Sequence, residues 1–319
     1  MSQRTSTTEV REQHGDLLRA ALRDADTALA HAGPVLAQLL NARDDGLFSD
    51  EMLAWVRGLV TSLAGNLIAL TAGADARTPH RDIADPQVLG LADYLLQSPA
   101  LLSHCHALAL ESQIAQRMER QAALDPVLSP CMQNAIAVSE QAAASLAMRA
   151  LAAQARFVQA QKRMELRPEE LPGELLFDVV RGWQRWSEKN DVAGFAAGQE
   201  NLRHRYNEGQ TRAVLLSRLI ETDMENAAQV LSIEHVGVAL FVNGLAEHAG
   251  ISRELAAFTL TAGQAARLAV ALRAAGLSAE AIERQCLRLH PDLLPPVIPD
   301  TLQPAAARAM LQQSSGGIA

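Results

Sequence analysis

The sequence of 319 residues is poor in aromatic side chains and in the residue types that favour β-strands. Phe, Trp and Tyr make up only 3% of the chain, and runs of Val, Ile, Thr and Tyr are almost absent. The apolar surface must therefore be buried by close packing of helices rich in Ala and Leu. With 49% hydrophobic residues, the composition predicts an all-α fold that has enough material for one large core or two smaller ones.

The sequence also has no disulfide framework, no export signal and no apolar run of membrane-spanning length. Cys105, Cys131 and Cys286 are odd in number and far apart in apolar surroundings, which is typical of buried reduced thiols. Residues 1–10 lack the apolar core of a signal peptide. The uncharged run 59–74 is shorter than the roughly 20 apolar residues of a spanning helix. We therefore expect a cytoplasmic protein without a membrane segment.

Motifs of catalysis and of cofactor binding are missing as well. The chain contains no Gly-x-Ser-x-Gly elbow, no Gly-rich phosphate loop after a strand and no cysteine in a recognised catalytic context. Its formal net charge of −8 opposes the binding of a polyanion. We expect a protein that is not an enzyme, that carries no cofactor and that binds another protein or a second copy of itself, with nucleic acid disfavoured.

The sequence does contain many signals for the start and end of helices. Pro86, Pro99 and Pro130 each stand at the first turn of a predicted helix. The turn Ala249-Gly-Ile-Ser252 recurs as Ala275-Gly-Leu-Ser278. In each copy the Gly can end one helix in the left-handed conformation, and the Ser can cap the first amides of the next helix. The pattern predicts short helices joined into hairpins.

Proline, glycine and charge mark the boundaries of the predicted sections. The stretch 163–173 combines charged residues with two prolines and a glycine, and we place a subdomain boundary there. The predicted sections are an N-terminal helical bundle at 1–85, middle helices at 86–168 with a long helix at about 131–164, a C-terminal helical-hairpin subdomain at 172–311, and a disordered tail at 312–319.

One segment, Leu245–Leu260, resembles the helix-turn-helix of bacterial DNA-binding repressors. The matching residues are Ala246, Ala249, Gly250, Ile251 and Ser252. A helix that reads base edges needs Arg, Lys, Asn or Gln facing the groove, whereas Arg253–Thr261 offers one cation, one anion and an otherwise apolar surface. The segment is either a DNA-binding unit or a structural helical hairpin, and the apolar second helix favours the hairpin.

The C-terminal third is also similar to the end of an uncharacterised bacterial family of HEAT-like helical proteins of unknown function. The similarity rests on the hydrophobic pattern of residues 245–252 and 269–278 and on the Gly-Leu-Ser turn. It implies an array of stacked helical hairpins, in one or two subdomains, and it assigns no functional residues.

Two clusters have residue types that bind metals. His104 and His106 flank a cysteine, but neighbouring residues of a helix point to different sides. Glu200, His204 and Glu208 have the four-residue spacing of one helical face, as a di-metal carboxylate site requires, but no second Glu-x-x-His helix follows them. Satisfied or interfacial side chains are favoured for the first cluster, and a solvated face of ion pairs for the second.

The strongest candidate for an interaction surface combines two of the three tryptophans with arginines. Its residues are Phe177, Arg181, Trp183, Arg185 and Trp186. Trp and Arg are the residue types that anchor protein interfaces, although both indoles can instead belong to the core. The sequence predicts a non-enzymatic scaffold or regulatory protein that acts through protein interaction or self-association. The alternatives are a DNA-binding regulator that uses residues 245–260 and a helical metal- or small-ligand-binding protein.

Overall fold

The computed structural model describes residues 15–27, 50–73, 85–138, 140–223 and 227–315. Within these ranges the chain forms α-helices and three short 3₁₀ turns and contains no strand, which confirms the all-α prediction. The remaining parts of the predicted N-terminal bundle, residues 1–14, 28–49 and 74–84, lie outside the described residues.

The α-helices are α1 (residues 15–27), α2 (Asp50–Thr71), α3 (Pro86–Leu95), α4 (Pro99–Ala122), α5 (Pro130–Ala137), α6 (Gln141–Lys162), α7 (Gly173–Lys189), α8 (Phe195–Arg205), α9 (Arg212–Asp223), α10 (Ala227–Val230), α11 (Ile233–Ala249), α12 (Arg253–Thr259), α13 (Ala265–Ala274), α14 (Ala279–Leu289) and α15 (Pro304–Ser315). The 3₁₀ turns are Pro168–Glu170, Glu208–Gln210 and Ala262–Gln264.

The predicted prolines do begin helices, with Pro86, Pro99 and Pro130 as the first residues of α3, α4 and α5. Asp85 caps α3, because its Oδ1 accepts a hydrogen bond of 2.8 Å from the amide of Gln87. Proline suits this position because the first amides of a helix have no partner within the helix, so its missing N–H costs nothing.

The prediction of one long helix at about 131–164 is wrong, because two helices, α5 and α6, occupy this stretch. Val138 has an extended backbone, with φ −63° and ψ 141°, and therefore ends α5. The second helix, α6, begins at Gln141. Val138 and Ser139 have only moderately lower helix propensities than the Ala-rich flanks, so helix propensity alone does not locate the break.

The chain divides into two compact units, each assembled from separate stretches. The first unit comprises Met1–Ala32, Gln113–Ala147 and Ser217–Ala319, and the second comprises Gly33–Ser112 and Met148–Leu216. These units differ from the consecutive sections predicted at 1–85, 86–168 and 172–311. Three of the four unit boundaries fall within α4, α6 and α9, where no proline or glycine marks them, and the fourth lies between Ala32 and Gly33.

The stretch 163–173, predicted as a boundary, lies inside the second unit and is fastened to α2. The amide of Leu166 donates to Oγ of Ser62 (3.2 Å), and its carbonyl accepts from Nδ2 of Asn66 (3.0 Å). Leu166 and Leu171 are both buried. These hydrogen bonds join residues about a hundred positions apart in sequence. The stretch is therefore packed structure and not the linker that was expected.

The second unit is built on α2, which packs against α3, α8 and the turn Pro168–Glu170, while α3 packs against α7. Among the described residues, α2 is the one unbroken helix that is long and apolar enough to cross a membrane. Of its most apolar 18-residue window, 67% is buried inside the protein. Such burial is characteristic of the core helix of a soluble protein.

The first unit is built on α11 and α13. The helices α5, α10, α12 and α13 pack against α11, and α14 and α15 pack against α13. Residues of α1 close the unit, because the carbonyl of Ala25 accepts from Nε2 of Gln264 (3.3 Å) and Asp26 pairs with the buried Arg267. A HEAT-like array, in which neighbouring repeats share a core, stays a prediction.

The disordered tail was predicted from residue 312, which is too early. Helix α15 continues to Ser315, and its residues Leu311 and Ala307 are buried. Nη2 of Arg308 donates to the carbonyls of His248 (3.2 Å) and Ala274 (3.0 Å), so the helix is fixed to the ends of α11 and α13. Residues 316–319 lie outside the described part of the chain.

Candidate functional site

The predicted interaction surface on α7 is divided between solvent and core. Phe177 is 62% exposed, and Arg181 and Arg185 are exposed beside it. Trp183 is completely buried and Trp186 is 7% exposed, so both indoles belong to the core and not to a surface. The residues 177, 181 and 185 follow each other at intervals of four, which places them on one face of the helix. We call these three residues the Phe177 patch.

Glycines explain why the two tryptophans are buried. A Cβ at Gly198 of α8 would stand 3.0 Å from Cη2 of Trp183, and a Cβ at Gly90 of α3 would stand 3.2 Å from Cζ2 of Trp186. Each indole therefore fills space that a larger residue on the facing helix would occupy. Trp183 also meets Phe195 edge to face, with ring centroids 4.8 Å apart. Glycine inside a predicted helix was the signal that could have indicated this packing.

The exposed part of α7 has an aromatic ring covered by a cation. The guanidinium carbon of Arg181 lies 5.5 Å from the centroid of the Phe177 ring, a cation–π distance. The same face carries the exposed carboxylates of Glu174 and Asp178 in the first half of the helix. Aromatic and arginine side chains are the residue types that are enriched at the anchor points of protein interfaces.

The segment 245–260 is a capped hairpin whose second helix is half-buried. Gly250 takes the left-handed conformation, with φ 70° and ψ 42°, and Oγ of Ser252 accepts from the amide of Leu255 (3.1 Å). Nε of Arg253 donates to Oδ1 of Asn243 (3.0 Å). Within the described residues 253–260 no residue is fully exposed, and Arg253, Glu254, Leu255 and Phe258 are partly exposed. The DNA-binding alternative for this segment stays a prediction.

The second copy of this turn has the same construction. Gly276 has a φ of 98°, and the amide of Leu277 donates to the carbonyl of Leu272 (3.1 Å). Oγ of Ser278 accepts from the amide of Ala281 at 3.3 Å and caps α14. The predicted roles of Gly and Ser are thus confirmed in both copies.

The His104–His106 cluster lies buried on α4. Burial lowers the pKa of His106 from its ordinary 6.5 to about 4 and raises the pKa of the Cys105 thiol to about 12. These shifts keep the imidazole neutral and the thiol protonated at pH 7. In the part of the chain that the structure describes, no group of three or more His, Cys, Asp or Glu residues could hold a metal ion.

The three residues Glu200, His204 and Glu208 do not share a helical face. Nε2 of His204 lies 3.1 Å from Oε1 of Glu200 on the exposed side of α8, and Arg203 lies beside them. Glu208 follows the end of α8 at Arg205, and its Oε1 accepts from the amide of Gly173 (3.0 Å). It therefore supplies the carboxylate at the N-terminus of α7, where Pro172 has no side chain that can cap.

A buried ion pair was missed by the sequence analysis. Nη1 and Nη2 of Arg212 lie 2.6 and 2.9 Å from the two carboxylate oxygens of Glu111, and Nη1 also donates to Oε1 of Gln154 (3.0 Å). The guanidinium carbon lies 3.6 Å from the ring centroid of Phe157. The acid that directly follows the apolar residues 107–110 was the available signal. The guanidinium is enclosed by these partners, which indicates a structural role.

Comparison with models of protein families, with curated proteins and with solved structures finds no match for this chain.

Proposed function

We propose that the protein is a non-enzymatic helical scaffold or regulatory protein of the cytoplasm, and that it acts by self-association through the Phe177 patch. The supporting observation is that Phe177, a large apolar side chain, is 62% exposed on a helix whose opposite face is buried. Burying such a ring against a partner contributes about 2 kcal/mol, which is a strong reason for a surface to carry it.

The charges of α7 favour a second copy of the same helix as the partner. The exposed carboxylates of Glu174 and Asp178 precede the exposed guanidinium groups of Arg181 and Arg185. In a two-fold symmetric, antiparallel pair of α7 helices centred between positions 179 and 180, Glu174 faces Arg185 and Asp178 faces Arg181. Each pair occurs twice because an isologous interface repeats every contact.

The same register brings the exposed ring of Phe177 into the interface, because the ring lies on the same helical face as the four charged residues. The interface thus consists of two rings and four ion pairs, with the two Asp178–Arg181 pairs nearest the two-fold axis. Exposed ion pairs contribute up to about 1 kcal/mol each, so they set the register and the rings supply much of the affinity.

Sedimentation equilibrium over a concentration series tests the proposal. We expect the wild-type chain to dimerise, and we expect Arg185→Glu and Glu174→Arg each to weaken the dimer about tenfold or more, since each places like charges together twice. The double variant Glu174→Arg/Arg185→Glu exchanges the two charges and should recover most of the wild-type affinity. Phe177→Ala should weaken the dimer without changing its dependence on salt.

A matched control is Arg284→Glu, which reverses an exposed arginine on the amphipathic helix α14 and should leave the dimer unchanged. A wild-type chain that stays monomeric over the whole series would show that self-association is wrong. Dimerisation with no recovery in the double variant would show that the dimer uses a different surface.

A further inference from the structure

The exposed side of α6 is cationic within the second unit. Arg149, Arg156 and Lys162 are exposed on the helix, Arg163 directly after it is exposed as well, and no Asp or Glu occurs between them. Among the described residues, neither Arg149 nor Arg156 has a carboxylate partner, and Nη1 of Arg163 lies 3.9 Å from Oε2 of Glu165. The positive charge is local, because acidic residues outnumber basic ones by 36 to 28 in the whole chain.

The opposite side of α6 is fixed in the core of the second unit. Oε1 of Gln161 accepts a hydrogen bond from Nε1 of Trp55 in α2 (3.1 Å), and Oε1 of Gln154 accepts one from Nη1 of Arg212 in α9 (3.0 Å). Both glutamines are buried. Because these contacts hold the rotation of α6 about its own axis, its arginines stay on the solvent side.

The exposed arginines repeat with the period of a contact between two helices. Arg149, Arg156 and Arg163 follow each other at intervals of seven residues, which corresponds to about 10.5 Å along the helix axis. Ala152 and Gln159 form a second exposed row beside them with the same interval. Two such rows on one face are the pattern by which a helix contacts a second helix that lies along it, with charged residues flanking the line of contact.

The residues between the arginines suit a helix better than a nucleic acid or a lipid surface. Ala152 lets another backbone approach closely, and Met148, which is 51% exposed, offers an apolar contact at one end of the two rows. The exposed residues of 148–163 include no aromatic side chain, whereas aromatic side chains stack on the bases of single strands and anchor helices in a lipid interface. The negative charge of the whole chain also opposes a polyanion.

We propose that the exposed face of α6 binds an acidic amphipathic helix of a partner protein. Carboxylates that repeat every seven residues along that helix pair with Arg149, Arg156 and Arg163, and its apolar side packs over Ala152 and Met148. Hydrogen bonds from guanidinium groups to carboxylates select an acidic partner and set its register. The surface shares no residue with the Phe177 patch, so the proposal does not depend on self-association.

Fluorescence anisotropy with the full chain tests the surface, with a labelled synthetic helical peptide as the probe. The peptide is three repeats of Glu-Leu-Ala-Gln-Ala-Ala-Gln, in which Glu and Leu each recur every seven residues. We expect saturable binding that weakens as the salt concentration rises. A peptide with Gln in place of Glu should bind about tenfold more weakly, and so should a peptide of the same composition whose three Glu residues stand side by side.

Variants of the chain complete the experiment, and far-UV circular dichroism verifies that each one is folded. Arg156→Glu should raise the Kd about tenfold, and Arg149→Glu/Arg156→Glu should raise it further, whereas Arg156→Lys keeps the charge and should stay within about threefold of the wild type. The control Arg185→Glu reverses an exposed arginine on α7. It should leave peptide binding unchanged while it weakens the proposed dimer, so the two proposals can fail separately.

The absence of saturable peptide binding would overturn the proposal, and so would equal affinity for the peptide whose Glu residues stand side by side. An unchanged Kd in folded Arg156→Glu would show that the peptide binds elsewhere. Binding of a DNA duplex or of anionic lipid vesicles that is tighter than peptide binding, and that is lost in Arg156→Glu, would assign this face to a different class of partner.

Discussion

The guanidinium group of Arg212 and the carboxylate of Glu111 form a two-point ion pair in the interior of the second unit, at 2.6 and 2.9 Å. Both side chains are buried, and Oε2 of Glu170 accepts from the backbone amide of Arg212 (3.3 Å). The pair joins α4 to the start of α9. Charges taken out of water are costly unless they are paired, so each of these residues depends on the other.

Removal of either partner should therefore be strongly destabilising. We expect Glu111→Ala to lower the free energy of unfolding by about 3 kcal/mol or more, because it leaves the Arg212 charge buried without its carboxylate. Urea unfolding followed by far-UV circular dichroism measures this loss. The control Glu200→Ala breaks an exposed pair with His204 and Arg203 and should cost about 1 kcal/mol at most. Equal losses in the two variants would contradict a structural role for the buried pair.

The Arg212–Glu111 pair also shows why the sequence predicted some features and not others. The two residues are 101 positions apart, and nothing in the local sequence of either one identifies its partner. The caps at Ser252 and Ser278, in contrast, bond to amides three residues away, and a single short window contains all the atoms involved. Local hydrogen bonds could be predicted because residue type and spacing decide them.

The candidate surface on α7 was predicted in part for the same reason. The four-residue spacing of Phe177, Arg181 and Arg185 is local, and the structure keeps all three exposed. The burial of Trp183 depends on Gly198 in the next helix and on Phe195, so it follows from tertiary packing. Glu208 was expected on one helical face with Glu200 and His204, but its carboxylate instead binds the amide of Gly173, which lies 35 residues earlier. This contact is tertiary as well, so local spacing did not predict it.

The close approach of α8 to Trp183 predicts a strict requirement for glycine at position 198. In Gly198→Ala the new Cβ would stand 3.0 Å from Cη2 of Trp183 and 3.0 Å from the backbone carbon of Leu70. Because one of these neighbours is backbone, the helices must separate, and we expect a loss of about 1–3 kcal/mol in the free energy of unfolding. Chemical denaturation and near-UV circular dichroism of the tryptophans measure it.

The control for this substitution is Gly263→Ala, whose Cβ would meet no atom within 4 Å. It should be neutral or slightly stabilising, since alanine restricts the unfolded chain more than glycine does. A wild-type stability for Gly198→Ala would show that α2, α7 and α8 pack less tightly than the structure indicates.

Because His106 is buried, we expect the free energy of unfolding to depend on pH in a specific way. Its pKa is lowered from 6.5 to about 4 by burial, so the unfolded chain takes up a proton at a higher pH than the folded chain. The contribution of neutral His106 is complete above pH 6.5 and is lost as the pH falls from 6.5 towards 4. The difference between the two pKa values corresponds to about 3 kcal/mol.

We expect the free energy of unfolding to fall less between pH 6.5 and 4 in His106→Gln than in the wild type. Urea denaturation at several pH values in this interval measures the two slopes. Identical slopes in the two proteins would mean that burial does not lower the pKa of His106 in the folded chain.

The repeated caps predict the energetic role of the hairpin at 245–260. Oγ of Ser252 satisfies the amide of Leu255 at the start of α12, so Ser252→Ala should lower the free energy of unfolding by about 1 kcal/mol. Ser278→Ala should have a similar effect at α14, where Oγ accepts from Ala281. In Ser252→Asp the carboxylate both caps the amide and favours the positive end of the helix, so we expect wild-type stability or slightly more. Thermal and urea unfolding of the three variants distinguish these outcomes. If Asp and Ala at position 252 were equally destabilising, the serine would matter for its size and not for its hydrogen bond.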